Sequence, residues 1–134
     1  MVGIAQPMAY FRNLNVSDGL PSNFITSVYE DTEGYMWFGT EDGLVRYDGL
    51  TFEKFFHDPP DSSSIGFDHV GWDIAEDSDG RIWVSLYGQG LSRYNPLTSD
   101  FTSFTFANGK LPAKWADHVQ NFMFSEDGYT YINC

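Results

Sequence analysis

Along "FITSVYE" (Phe24 to Glu30), "YMWFG" (Tyr35 to Gly39), "GLVRYD" (Gly43 to Asp48) and "TFEKFF" (Thr51 to Phe56), branched and aromatic residues alternate with polar ones at a period of two. Gly or Asp turns separate the runs, so each predicts a short strand. The succession returns as "VGWDIAE" (Val70 to Glu76), "RIWVS" (Arg81 to Ser85), "GLSRYN" (Gly90 to Asn95) and "DFTSFTF" (Asp100 to Phe106). It begins a third time at "SEDGYTYI" (Ser125 to Ile132). Helical 3.6-residue spacing is absent from these runs, and the pattern predicts antiparallel four-stranded sheets joined by hairpins.

The repeat has a measurable period. Asp31 and Asp77, Gly34 and Gly80, and Trp37 and Trp83 are each 46 positions apart, while Gly43 and Gly90 differ by 47 and Phe55 and Phe104 by 49. Length changes therefore fall in the loops between strands. A period in the forties with strand alternation inside it predicts propeller blades. The repeated Trp and Gly-Leu read as packing, because a feature present in every unit suits a shared core. Trp37 and Trp83 are accordingly expected at equivalent buried positions.

Unit ends follow from the same comparison. "AYFRNLNVSDGLPSNF" parallels the stretches that lead into the second and third units, so Tyr10 to Leu14 is expected to be the outer strand of a blade whose other strands lie elsewhere. The expected organisation is a leader or signal-peptide remnant at 1–9 and a propeller segment at 10–134. Within it lie an outer strand at 10–14, blades at 24–56 and 70–106, and a partial blade at 119–134. The fold class is all-β: a partial β-propeller of four-stranded antiparallel blades, about two full blades plus a stray outer strand and half of a third. Propellers need about four blades or more. The chain therefore reads as a fragment of a longer protein or as a unit that assembles with copies of itself, and its open strand edges predict association in isolation.

"DTEGYMWFGTEDGLVRYDG" resembles the two-component regulator propeller repeat: an acidic turn with Gly, a Trp, Gly-Thr, then Gly-Leu-x-Arg-Tyr-Asp. The second unit departs from the pattern at Ser85 and Asn95, and the third has Tyr131 where Trp stands in the others. The resemblance implies a place in the extracytoplasmic, periplasmic sensor region of a hybrid histidine kinase or related signalling protein. It implies a non-catalytic ligand-sensing or interaction module, with an oligosaccharide or small molecule as ligand. None of the kinase motifs occurs in the chain.

Composition narrows the partners. Nineteen acidic against seven basic residues give a formal charge of -12, which repels nucleic acid and anionic membrane surfaces. The chain is 42% hydrophobic and 18% aromatic, enough for a core. Its one cysteine, Cys134, excludes an internal disulfide, and no run approaches the roughly 18 apolar residues of a membrane span.

The turn joining the first two strands of each unit is nearly constant and reads as architectural, whereas the loops at the opposite end vary. Function is sought there, among His57, Asp58, Asp61, His69, Tyr87, Gln89, Lys110, Lys114, Trp115 and His118. "Asp-His-Val" recurs at Asp68 to Val70 and Asp117 to Val119, which places His69 and His118 at matching blade entries. Such a pair binds a polar ligand, or else His and Asp merely satisfy the loop backbone; a metal would want three or four ligands. Trp72 and Trp115 have no aromatic counterpart in the first unit and suit a sugar or aromatic ligand. The candidate ligand-binding set is His69, Trp72, Tyr87, Gln89, Trp115 and His118. His69, Trp72, Trp115 and His118 are expected in one patch near the channel mouth, with the turns at Asp31 and Asp77 on the opposite face. "Asp-Ser-Asp-Gly" at Asp77 to Gly80 lacks the remaining oxygens of a calcium loop, and no metal or cofactor is expected. No catalytic pair can be selected and no Gly-x-Ser-x-Gly or His-Glu-x-x-His occurs. The alternative reading is a propeller lyase or hydrolase with its site at the channel mouth.

Overall fold

A computed structural model of the chain describes residues 3, 9–105, 107–112 and 119–133. The first sheet is built from β1 (Ile25–Glu30), β2 (Met36–Thr40), β3 (Gly43–Tyr47) and β4 (Phe52–Phe55), in that spatial order. The second repeats it with β5 (Val70–Glu76), β6 (Ile82–Leu86), β7 (Gly90–Asn95) and β8 (Asp100–Phe104). A third pair, β9 (Asn121–Phe124) and β10 (Thr130–Asn133), forms a hairpin. All neighbouring strands are antiparallel. This all-β arrangement of four-stranded blades is the partial propeller that the period of two and the repeat length predict.

The acidic turn is made the same way in both blades. Asp31 Oδ1 accepts the backbone N–H groups of Glu33 and Tyr35 at 3.0 and 2.9 Å, and Asp77 Oδ1 those of Asp79 and Arg81 at 2.9 and 3.0 Å. The second carboxylate oxygen takes the indole N–H of Trp37 at 2.7 Å and of Trp83 at 2.8 Å. Gly34 and Gly80 close these turns at φ of 89° and 76°, a conformation that side chains resist. In the third unit Ser125 stands in the Asp position and Tyr131 in the Trp position. There Ser125 Oγ accepts the Asp127 N–H at 3.4 Å, and Asp127 accepts the N–H of Tyr129 at 3.3 Å.

Blades pack face to face through aromatic residues. Trp37 and Phe55 of the first blade meet Tyr94 of the second at ring distances of 5.3 and 5.2 Å, and Phe55 meets Phe101 at 5.4 Å. With Leu44, Ile74, Ile82 and Val84 they form the main core. A smaller core joins the second blade to the third through Leu91, Val119 and Phe122, with Trp83, Phe104 and Phe124 at its margin. Trp37 is 1% exposed. Trp83, expected to be equally buried, is only partly so; it stacks on Phe104 of its own blade at 5.2 Å and meets Phe124 of the third unit at 5.6 Å.

β5 runs beside β1 and β9, which makes these three the innermost strands. Ser27 Oγ donates to the Gly71 carbonyl at 3.1 Å, and the Phe122 N–H to Asp73 Oδ2 at 2.9 Å, tying each blade to the next. Close approach there explains Gly39: an added Cβ would lie 2.7 Å from Val70 Cγ1 and closer still to Ser27 Oγ. Before β1, the turn Val16–Asp18 is capped by Asn15, and Leu20 is buried. Tyr10 to Leu14, expected as the outer strand of a blade whose other strands lie elsewhere, pairs with no strand among the described residues, and Tyr10 and Phe11 stand exposed. Arg12 to Leu14 and Leu20 flank an open apolar groove over Ile25, Val28, Met36, Phe38 and Tyr47 of the first blade.

Candidate functional site

The β5–β6 hairpin has the Asp77 turn at one end and the entry loop and the turn after β6 at the other. At that other end His69 and Tyr87 come together. Their rings stack at 4.7 Å with planes 17° apart, and the Tyr87 N–H donates to the His69 carbonyl at 2.9 Å. Tyr87 is 57% exposed, so one face of the pair is open to solvent. Gln89 follows in the same turn, where its N–H closes on the Leu86 carbonyl at 3.1 Å and its side chain is exposed.

Trp72 sits at an irregularity of β5. Val70 pairs with Leu86 and Ile74 with Val84, so two residues of β5 are extra in this register; in the first blade the slip between Ile25 and Ser27 is one residue. A bulge re-aims side chains that a regular pleat would bury. Gly71 is pressed against Ser85, Ser85 Oγ accepts the Asp73 N–H at 3.1 Å, and Trp72 is left 53% exposed on an innermost strand. His69, Trp72, Tyr87 and Gln89 thus lie at one end of the second blade. Trp115, His118 and Lys114 fall outside the described residues.

Other candidates from the variable loops serve the loop itself. The His57 N–H donates to Asp68 Oδ1 at 2.6 Å, and His57 Nδ1 lies 2.8 Å from the Ile65 carbonyl. Asp58 and Ser64 exchange bonds across the same loop, and Asp61 accepts the hydroxyl and N–H of Ser63, which hold its carboxyl below the ordinary aspartate range. Lys110 lies over Phe104 at 5.4 Å. Among the described residues no three acidic, His or Cys side chains are grouped as metal ligands would be.

The acidic-turn face holds an interaction that a single repeat does not reveal. Thr32 donates its N–H and hydroxyl to the Glu76 carboxylate at 2.8 and 2.7 Å, a clamp between neighbouring blades. Arg46 reaches Glu53 Oε2 through Nε at 2.9 Å while lying over Tyr35 and Trp37. The Thr32–Glu76 clamp becomes visible only when blades are set side by side, whereas Arg46 and Glu53 face each other across β3 and β4 of one blade.

Residues 19–42 and 64–88 match the family model of the two component regulator propeller. The chain carries two-component regulator propeller repeats. The matched stretches enter each blade and run through its first two strands, and the second includes His69, Trp72 and Tyr87. Over 55 residues the chain is 38% identical to histidine kinase P4 of Formosa agariphila, covering 41% of this chain and 4% of that protein. Two extracellular domains from B. thetaiotaomicron share the fold. One, from a one component system, superimposes with a TM-score of 0.63 at 17% identity, over 89% of this chain and 17% of that one. The other, from a hybrid two component system, gives 0.52 at 20% identity, over 90% and 23%. The chain therefore spans a small part of the length of each. Among the described residues no helix is long and apolar enough to cross a membrane.

Proposed function

We infer that this chain is a non-catalytic part of the extracytoplasmic sensor of a two-component signalling protein, and that its variable-loop end meets a small-molecule or oligosaccharide ligand. The observation that carries the reading is the open stack of His69 on Tyr87 at the end of the second blade where β5, with its half-exposed Trp72, begins. Flat aromatic surfaces with polar neighbours such as Gln89 suit the apolar face and hydroxyls of a sugar ring. Trp72 needs a bulged strand to stand exposed, which a purely packing indole would not. The propeller repeats and the extracellular origin of the similar domains support the setting. The output domain and the remaining blades would belong to the rest of the sensor.

The test is a panel of neutral oligosaccharides titrated against the chain, with the His69, Tyr87 and Trp72 side-chain resonances followed by NMR. Saturable shifts at these residues, weakened by about 1 to 3 kcal/mol in Trp72→Ala and Tyr87→Ala without loss of fold, are expected. Saturable shifts that persist unchanged in both variants would move the site elsewhere. A large loss of stability in Trp72→Ala would make the indole a packing residue.

A further inference from the structure

The second and third blades meet at the acidic-turn face in a cleft of about 580 Å³, lined among others by Ser78, Trp83, Arg93, Phe124 and Tyr129. The equivalent cleft between the first and second blades, about 430 Å³, is lined by Thr32, Trp37, Arg46 and Glu76. Since the latter stays open beside a complete four-stranded blade, an opening at this place is a property of how blades meet.

The two clefts differ in charge pairing. In the first, each donor has its own carboxylate: Glu53 for Arg46, and Glu76 for the N–H and hydroxyl of Thr32. In the second, the strand register puts Thr102 opposite Arg93 where Glu53 stands opposite Arg46. Phe124 precedes the turn of the third unit where Glu76 precedes that of the second. Both acids are gone and both donors remain. Among the described residues Arg93 makes no ion pair, and its guanidinium lies over Trp83 and Phe104 at 5.3 and 5.5 Å. Ser78, the counterpart of Thr32, likewise has no acceptor for its N–H or hydroxyl among them. An Arg ordered on aromatic faces is set to take a planar acid.

We propose that this cleft binds a small, flat acidic ligand, with a carboxylate on Arg93, a second acceptor oxygen on Ser78 and its body against Trp83. Three carboxylates line the cleft; Glu126 is solvent-exposed, and the other two are engaged. Asp77 is spent on two backbone N–H groups and the Trp83 indole, and Asp79 on Arg81 at 3.0 Å. The first cleft, with Asp31 and Glu33 in the same places, already holds the Glu76 carboxylate. The site lies at the opposite end of the blade from Trp72 and is independent of the reading given to that residue.

The experiment titrates the chain with isophthalate, its neutral isostere isophthalamide, and N-acetylglutamate, following the Ser78 amide and the Trp83 indole by NMR. Saturable shifts with isophthalate are expected, at least about tenfold weaker with isophthalamide because the charge-assisted bonds to Arg93 are lost. Arg93→Gln should weaken isophthalate about tenfold or more, and Thr102→Glu, which restores the partner that Arg46 has, should do the same. Unperturbed methyl resonances of the buried Val84 and Leu86 in the free Thr102→Glu variant show the fold intact. Absence of saturation with isophthalate, equal binding of isophthalamide, or full binding by Thr102→Glu would overturn the proposal. N-acetylglutamate binding as well as isophthalate would make an acidic side chain of another protein the occupant and remove the flat body from it.

Discussion

Asp31 accepts the indole N–H of Trp37 on the carboxylate oxygen that its backbone turn leaves free, and Asp77 does the same for Trp83. One side chain thereby fixes both the hairpin and the orientation of the largest core residue. Replacing Asp31 with Ala should cost about 1 to 3 kcal/mol, the range for stranding donors that had a charged partner. Asp31→Asn keeps one acceptor oxygen but sets an amide NH2 against the other donor, so it should also destabilise, by a comparable amount. Urea unfolding of the two variants checks this, and sub-kcal losses would deny the carboxylate its double role.

The two indoles should respond unequally to truncation. Trp37→Ala removes a residue packed by Phe55 and Tyr94 and is expected to cost about 3 to 5 kcal/mol. Trp83→Ala should cost clearly less, because its ring is only partly covered. Denaturation midpoints that rank the variants the other way would contradict the packing described.

Gly39 stands where the innermost strands approach. Gly39→Ala drives a methyl onto Val70 and Ser27 and should destabilise by about 1 to 3 kcal/mol through overpacking. Gly34→Ala meets no atom within 4 Å, and its penalty is that of a positive φ, about 1 kcal/mol. Combining either substitution with Ser27→Ala separates the mechanisms: relief is expected for Gly39 and none for Gly34.

Acid should loosen the turn after β3. The N–H groups of Thr51 and Leu50, with the Thr51 hydroxyl, hold the Asp48 carboxyl below its ordinary value of 3.8. A group whose folded pKa is depressed contributes stability that is present above its unfolded pKa and disappears as pH falls through the folded one. The loss for Asp48 therefore falls below about pH 4, the unfolded aspartate value. Carboxyl titration by NMR should show Asp48 protonating at lower pH than in Thr51→Val, and coincident titrations would contradict the bonding.

The strands and the repeat were legible because each blade buries its alternate positions against a neighbour, leaving a period of two from Phe24 to Glu30 and again from Val70 to Glu76. Trp72 was legible as an oddity, since its counterpart Thr26 is small and polar. The reason for its exposure was not, because a two-residue slip of β5 against β6 leaves the alternation unchanged. Partial burial of Trp83 escaped for a related reason: identical local sequence gives identical turns, but coverage depends on what packs across the blade boundary. That acids are missing at Thr102 and Phe124 can be read from the aligned repeats, yet only the register that sets Thr102 opposite Arg93 and the packing that brings Phe124 to the cleft wall show that both bear on one cleft. Trp115 and His118 lie outside the described residues, so of the expected patch only His69 and Trp72 have a described place.

The unequal burial of two otherwise matched indoles has an optical consequence. Trp37 and Trp83 share a carboxylate partner and an arginine over the ring, so they differ as emitters mainly in contact with water. With Trp72 and Trp115 replaced by Phe, the fluorescence of the chain would consist of a blue component that iodide cannot reach and a redder one that it quenches. Any body that closes over the second blade would shift only the redder component. The chain thus carries its own gauge, with an internal standard one blade away, of whether that face is covered.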